Sequence, residues 1–500
     1  MTDDDVRVDR VRRYQIAVAV TVVGLVLVRL LCAAELPLAF DEALYWRWSQ
    51  HLSGGYLDHP PMNPLLIRLG TTVFGNNEFG VRVVAVLLGL PATWAVWRAA
   101  AILFRDPKIG ATAALFFNLT LAMAAGSILA TPDSAVMVTT CFLLLSLAKL
   151  AETGRGAWWL AVGVAFGLGM FSKYSTLFFA ISILIWVLAV PELRKWLFSP
   201  WPWAGAVIAL AIFTPVLIWN AEHGWASVLY QANRLVVHAW SLRYFGEFFA
   251  TQLGLATPPI FILGCMGLGG LLYFRSEPYI ARILIGAMVW PIVVYFAWHT
   301  FHGRVEGNWP EPMYPAFAIA AAVAADRLPW QGAALWWASW SNRLAVPVAL
   351  VIAAFIYLQA IFAIIPLGRI DPTARKLGAG WPELASQIDD IRRKEGAGIV
   401  LTGDYGLASW LAFYLPSHPP VEQMNVRMRY VDAPAPDPAL FRGPMLFVCS
   451  GGCADVEKPP ELFNTVERLA KLSRQRRGVT IDQYLIYRVA DPRGPVLEKP

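Results

Sequence analysis

Residues 40–64 read FDEALYWRWSQHLSGGYLDHPPMNP and hold Asp41, Glu42, Asp58 and His59, with Tyr45, Trp46 and Trp48 between them. A carboxylate can take a proton from a hydroxyl, and an acid beside an imidazole can hold a polar headgroup or a metal ion. With helical spacing, Asp41 shares a face with Tyr45, and Glu42 with Trp46. Asp41 is also placed to cap a helix N-terminus, which favours its ionised form. Pro60 and Pro61 each bias the preceding residue towards an extended conformation, so the Asp58-His59 run is stiff. Stiffness suits a positioned ligand or base. The plainer alternatives are ordinary solvation for the acidic pair and a structural turn for the Asp-His-Pro-Pro run.

Four further side chains belong with this stretch. Asp133 follows the turn at Pro132 and reads either as a helix N-cap or as a second acid. Lys173 lies between two apolar runs, where it must meet an anion or snorkel to the interface. Arg304 and Glu306 lie near His302 in the loop HTFHGRVEGNWPEPMYP, and a guanidinium can hold a phosphate bidentately. His223, His238 and His299 read as interfacial histidines. Cys449 and Cys453 form CSGGC, which is a short-loop disulfide if the tail lies outside the cytoplasm, or two free thiols. Cys32, Cys141 and Cys265 sit in apolar runs and read as inert core residues. No Walker or Rossmann fingerprint falls in a strand–helix setting, so nothing points to nucleotide-driven chemistry.

The elements that position these residues are mostly hydrocarbon-compatible. The 500 residues are 57% hydrophobic and 15% charged, against roughly 25% charged in soluble domains. Apolar runs recur near 14–36, 79–104, 109–128, 134–151, twice within 157–191, then 204–219, 253–274, 283–298, 313–325 and 345–366. About eleven spans follow. Residues 65–74 are apolar but too short to cross, and 326–343 is a Trp-rich interfacial segment. The net charge of +6 fits positive-inside loops rather than nucleic-acid binding. With a cytoplasmic N-terminus, the cytoplasmic loops collect Arg105, Lys108, Lys149, Arg155, Arg194, Lys195, Arg275, Arg282, Arg327 and Arg343. The first loop (about 37–78), Asp133, Lys173, Arg304 and the tail then share the outer side. Residues 1–366 form the transmembrane catalytic domain. Residues 367–500, with period-2 runs at 398–402 and 444–449, form a small periplasmic α/β domain.

Carboxylates and cations at an outer membrane surface, without a nucleotide fold, suit transfer of a group from a lipid phosphate. A carboxylate takes the acceptor's proton, and cations or a divalent metal stabilise the departing phosphate. Asp41 and His59 are the candidate metal ligands, and Asp58 with His59 the candidate headgroup holders.

The chain resembles bacterial integral-membrane glycosyltransferases of the C superfamily, in the branch of the protein O-mannosyltransferases and lipid A aminoarabinose transferases. The resemblance rests on DEALYWRWSQHLSGGYLDHPPMNPLLIRLG (41–70), TPDS (131–134), GLGMFSKYS (167–175), WNAEHGW (219–225), RVEGNWPEPMYP (304–315), GWPEL (380–384) and LASWLAFYLP (407–416), in that order along nearly the whole chain. It implies a polyprenyl-phosphate sugar donor, inversion at the anomeric carbon and action at the periplasmic face of the inner membrane. It also implies Asp41 as catalytic base, supported by Glu42, with Asp133 as a second acid and Lys173 and Arg304 as contacts to the donor phosphate. The expected acceptor is a glycolipid such as lipid A or the lipopolysaccharide core. A protein acceptor is the alternative within the same chemistry. A lipid-linked-sugar transporter is the non-enzyme alternative, which should show charges buried mid-span and inverted repeats; neither stands out in the sequence.

Overall fold

The computed structural model of the chain describes residues 3–233, 240–451 and 459–499. It forms two compact units. One comprises Met1–Leu31, His59–Asn63 and Val83–Ala354, the other Cys32–Asp58, Pro64–Arg82 and Phe355–Pro500. We call them the bundle unit and the loop–tail unit. The sequence boundary at 366/367 kept the first loop with the membrane part, whereas the structure groups most of that loop with the tail.

Six helices are long and apolar enough to cross a bilayer: Asp5–Glu35, Glu78–Phe104, Pro132–Thr153, Pro200–Glu222, Tyr279–His299 and Gly332–Phe362. Three bent pairs raise the number to as many as nine among the described residues, where the apolar runs suggested about eleven. The bends have local causes. Pro107–Leu119 and Leu121–Ile128 meet at 64°, where the Thr120 hydroxyl caps the Met123 amide. Arg243–Ala256 and Pro258–Tyr273 meet at 106°; Thr257 adopts a φ of +65° there and Pro258 has no N–H to continue a ladder. The apolar helix Trp158–Met170 has 13 residues, about 20 Å of rise. The expected interfacial segment is the first part of the continuous helix Gly332–Phe362, with Trp336, Trp337 and Trp340 exposed.

Within the bundle unit, small residues let helices approach closely. A Cβ at Gly163 would lie 2.2 Å from the Gly205 carbonyl oxygen. The first helix carries Arg29 fully buried. Its guanidinium donates to the side chain and the carbonyl of Asn118, at 3.1 and 2.9 Å, and Asn118 donates on to Thr93. A charge is therefore buried within a span, which the sequence reading did not single out, and it is held by fixed polar groups. Cys32 and Cys141 are buried, while Cys265 is exposed rather than in the core.

The loop–tail unit is built on a five-stranded sheet of β1 (Val400–Thr402), β2 (Val421–Gln423), β3 (Met445–Ser450), β4 (Phe463–Arg476) and β5 (Val479–Pro492). The order is β2-β1-β3-β5-β4. β1 pairs in parallel with β2 and β3, and β5 runs antiparallel to β3 and β4. β1 and β3 are the two period-2 runs of the sequence. The long β4–β5 hairpin turns at Arg477-Gly478, both with positive φ, as a two-residue hairpin loop requires. Cys449 ends up in β3; its expected partner Cys453 lies outside the described residues.

Candidate active site

In the loop–tail unit the first loop folds as a helix, Phe40–Gln50. Ala39 is the N-cap and Asp41 sits in the first turn, so Asp41 is not the cap. Glu42, at the third helical position, reaches back instead: its carboxylate accepts the Ala39 amide at 2.8 Å. The same carboxylate takes Arg82, whose Nε is 2.7 Å away. Both side chains are fully buried, and Arg82 also donates to the carbonyls of Ala33, Leu36 and Pro37. A lone arginine at the head of the apolar run 79–104 was the available signal for this pair, and the sequence reading passed over it.

The tail helix Tyr405–Tyr414 clamps the start of the first-loop helix. Leu38 donates its N–H to the Tyr414 hydroxyl at 2.7 Å and accepts from Trp410 Nε1 at 2.8 Å. Phe40 packs edge-on against Tyr405 and Trp410. A Cβ at Gly378 would lie 2.6 Å from the Leu38 carbonyl oxygen, so only glycine fits that approach.

Asp41 is half-buried. The Tyr405 hydroxyl donates to its Oδ1 at 3.3 Å. Burial pushes the Asp41 carboxyl up to about 7; the Tyr405 hydrogen bond pulls the other way, and the charges of Asp58 and Glu42 push further. Asp58 is buried and meets Arg429 side-on, with Nε to Oδ2 at 2.8 Å and Nη2 to Oδ1 at 3.0 Å. The Arg429 guanidinium lies over the Tyr405 ring, 4.4 Å from its centre. Its carbonyl accepts from Trp48 Nε1 at 2.8 Å, and Trp48 stacks on Tyr56 at 4.5 Å. Tyr405 and Arg429, 364 and 371 residues from their partners, carry no local signal in the sequence.

The bundle unit holds a second acidic centre. Asp133 lies in the first turn of Pro132–Thr153, whose N-cap is Thr131, so it is not the cap either. One of its oxygens pairs with Lys173 and the other accepts from Asn308 Nδ2 at 2.8 Å. Lys173 therefore meets an anion rather than snorkelling. The two turns are tied together, because the Ser172 hydroxyl donates to the Pro132 carbonyl at 2.9 Å. The run His59–Asn63 is tied to both turns: Met62 N–H donates to the Phe171 carbonyl at 3.2 Å, and Asn63 Nδ2 to the Ala130 carbonyl at 2.9 Å. Glu311 lies alongside, buried. Burial first, then the Asp133 charge, holds its carboxyl well above the usual range, with Lys173 opposing. A cavity lined by Ala85, Gly89, Met123, Ser127, Asp133 and Glu311 adjoins it.

The loop 299–315 thus contributes Asn308 and Glu311 to this centre. Arg304 and Glu306, which the sequence favoured, form a different group: Arg304 is well exposed, bonds Glu247 at 2.7 Å and lies 3.8 Å from Glu306. Among the described residues no three His, Cys, Asp or Glu side chains gather as a metal site. Of the two expected ligands, Asp41 belongs to the loop–tail unit and His59 to the bundle unit. The neighbouring acids Asp58 and Glu42 already pair with arginines.

The family model described as dolichyl-phosphate-mannose-protein mannosyltransferase matches residues 58–219. A lipid A galacturonosyltransferase of Rhizobium johnstonii is 25% identical over 450 residues, covering 85% of this chain and 88% of its own. An undecaprenyl phosphate-alpha-4-amino-4-deoxy-L-arabinose arabinosyl transferase of Pseudomonas savastanoi pv. phaseolicola is 30% identical over 220 residues, 38% of this chain and 40% of its own. ArnT from Cupriavidus metallidurans, solved bound to undecaprenyl phosphate, superposes with a TM-score of 0.65 at 16% identity, covering 96% of this chain and 99% of that one. That likeness shows the fold. Together these define a multi-pass membrane glycosyltransferase with a C-terminal sheet domain. The chain is similar to glycosyltransferases of the C superfamily, along the ordered motifs that carry the resemblance in the sequence.

Proposed function

We propose that the enzyme moves a sugar from a polyprenyl-phosphate donor to a lipid A-type glycolipid, at the periplasmic face of a bacterial inner membrane, with its N-terminus in the cytoplasm and its tail in the periplasm. The relatives named above supply the donor class and the acceptor class. The observation that carries the chemistry is Asp41, half-buried beside one tyrosine hydroxyl, with its carboxyl raised to about 7. A general base works best when its pKa lies near the operating pH.

Asp41 takes the proton of the acceptor hydroxyl. The freed oxygen attacks the anomeric carbon from the face opposite the phosphate. The carbon–oxygen bond to phosphate breaks, its electron pair leaves with the polyprenyl phosphate, and the configuration inverts. Glu42, locked to Arg82 and to the helix N-terminus, fixes the turn that carries Asp41. Lys173 and Arg304 are assigned to the phosphate, each meeting it with N–H donors that its carboxylate partner, Asp133 or Glu247, leaves over. Asp133 is assigned to hold Lys173. Asp58 acts with Arg429, and His59 is assigned to the donor headgroup. No step is routed through the expected divalent ion, because the acids nearest Asp41 already have cationic partners.

Mass spectrometry of lipid A and core glycolipids tests this reading, comparing cells that make the wild type with cells that make Asp41→Asn. The wild type adds one sugar mass to a glycolipid, and the variant loses about 10²–10⁴-fold in rate. Full transfer by a folded Asp41→Asn would overturn the base assignment. A protein acceptor is the second reading, favoured by the family model over 58–219; an unchanged lipid profile with a glycosylated periplasmic protein would select it.

A further inference from the structure

We propose that the C-terminal domain is a working part of the catalytic apparatus, in which Tyr405 is the positioning residue for Asp41. The inference rests on the reading of Asp41 as the base.

Four observations in the loop–tail unit support it. The Tyr405 hydroxyl donates to Asp41 Oδ1 at 3.3 Å. The Tyr405 ring is itself fixed on both sides, by the edge contact with Phe40, the residue before Asp41, and by the Arg429 guanidinium at 4.4 Å. Arg429 in turn is locked side-on to Asp58, another acid of the first loop. The helix carrying Tyr405 is capped by its own Asp404, which accepts the Leu407 amide at 2.7 Å, so the hydroxyl is presented from a well-formed helix end. The tail thus makes one chain of contacts, Asp58–Arg429–Tyr405–Asp41, that reaches two of the acids of the first loop.

The chemical consequence follows from what Tyr405 can do. Its hydroxyl is kept protonated by burial and by the Asp41 charge, so it is a donor to Asp41 throughout the working pH range. A donor favours the ionised carboxylate, the form that acts as base. It also takes up Oδ1, which leaves Oδ2 as the oxygen to meet the acceptor's proton. Tyr405 therefore sets both the charge state and the presented oxygen of the base without touching substrate.

The test uses the full-length enzyme in lipid nanodiscs, with a polyprenyl-phosphate sugar and lipid A, measured from pH 5.5 to 9. Tyr405→Phe keeps the ring contacts and removes the donor. The acid limb of kcat should move up by about one pH unit, so turnover falls about tenfold at pH 6 and recovers to near wild type at pH 9, with the donor KM unchanged. The control Tyr414→Phe removes another hydroxyl of the same helix, bonded to Leu38 and Glu78; it should leave the limb in place. If Tyr405→Phe does not fold, 3-fluorotyrosine at position 405 keeps the shape and strengthens the donor, and should move the limb down. A limb that stays in place with either replacement overturns the inference, as does a loss that is uniform across pH. An inactive Asp41→Asn with an unshifted Tyr405→Phe sinks only the role of Tyr405, whereas an active Asp41→Asn sinks the base reading beneath it.

Discussion

Two acids, Asp133 in one unit and the half-buried Asp41 in the other, have opposite surroundings. In the bundle unit Asp133 has a lysine on one oxygen and an amide on the other, and burial and the Asp133 charge hold the Glu311 carboxyl well above the usual range. In the loop–tail unit the arginines go to Glu42 and Asp58, and among the described residues Asp41 has one tyrosine hydroxyl. Desolvation without a bonded cation raises an acid into the range where it can exchange protons, whereas a bonded cation fixes it as an anion. The same residue type is thus tied to a cation in one region and left with a raised carboxyl in the other.

The difference can be attacked first where the expected effect is largest. Lys173→Met leaves the Asp133 carboxylate buried beside Glu311 without its cation, which should cost about 3–5 kcal/mol of stability. The added change Asp133→Asn should recover a good part of that in a thermal melt. A Lys173→Met protein as stable as the wild type would show that the pair is not an anchor.

Asp41→Asn should behave in the opposite way. The folded state holds the Asp41 proton more tightly than the unfolded chain does. Its contribution to stability is complete below the ordinary carboxyl pKa of 3.8 and is lost as pH rises through about 7. Above pH 8 the asparagine variant should be more stable than the wild type, by on the order of 2 kcal/mol, with no advantage at pH 4. Equal melting temperatures at both pH values would mean that Asp41 is not held as an uncompensated acid.

The smallest effect belongs to Glu311→Gln. A carboxyl that burial holds well above the usual range is matched closely by an amide, so stability should change by less than about 1 kcal/mol at pH 7. A fall of several kcal/mol would mean that Glu311 is ionised and shares Lys173.

Local patterns were readable from the chain. The apolar runs, β1, β3 and the short apolar stretch at 65–74 follow from composition and periodicity, and the ordered motifs carried the resemblance to the superfamily. The bends at Thr120 and Thr257 were not read, because a hydropathy window averages across a break of one residue. At the loop 299–315 the sequence marked the right segment but favoured its charged residues. The fold instead turns Asn308 and Glu311 towards Asp133, an orientation that residue type cannot reveal. The partners Arg82, Tyr405 and Arg429 were missed for a related reason. Each is an ordinary residue in its own neighbourhood and gains meaning only from a contact across 40, 364 or 371 residues.

That separation has a consequence in time. Asp41 is made early, while the ribosome is still near the start of the message. Tyr405 arrives 364 residues later, roughly 20–70 s at ordinary elongation rates. Until then the nascent chain carries Asp41 without its Tyr405 hydrogen bond and without the clamp of the tail helix on Leu38, and these contacts form only as the last fifth of the chain folds onto the first loop.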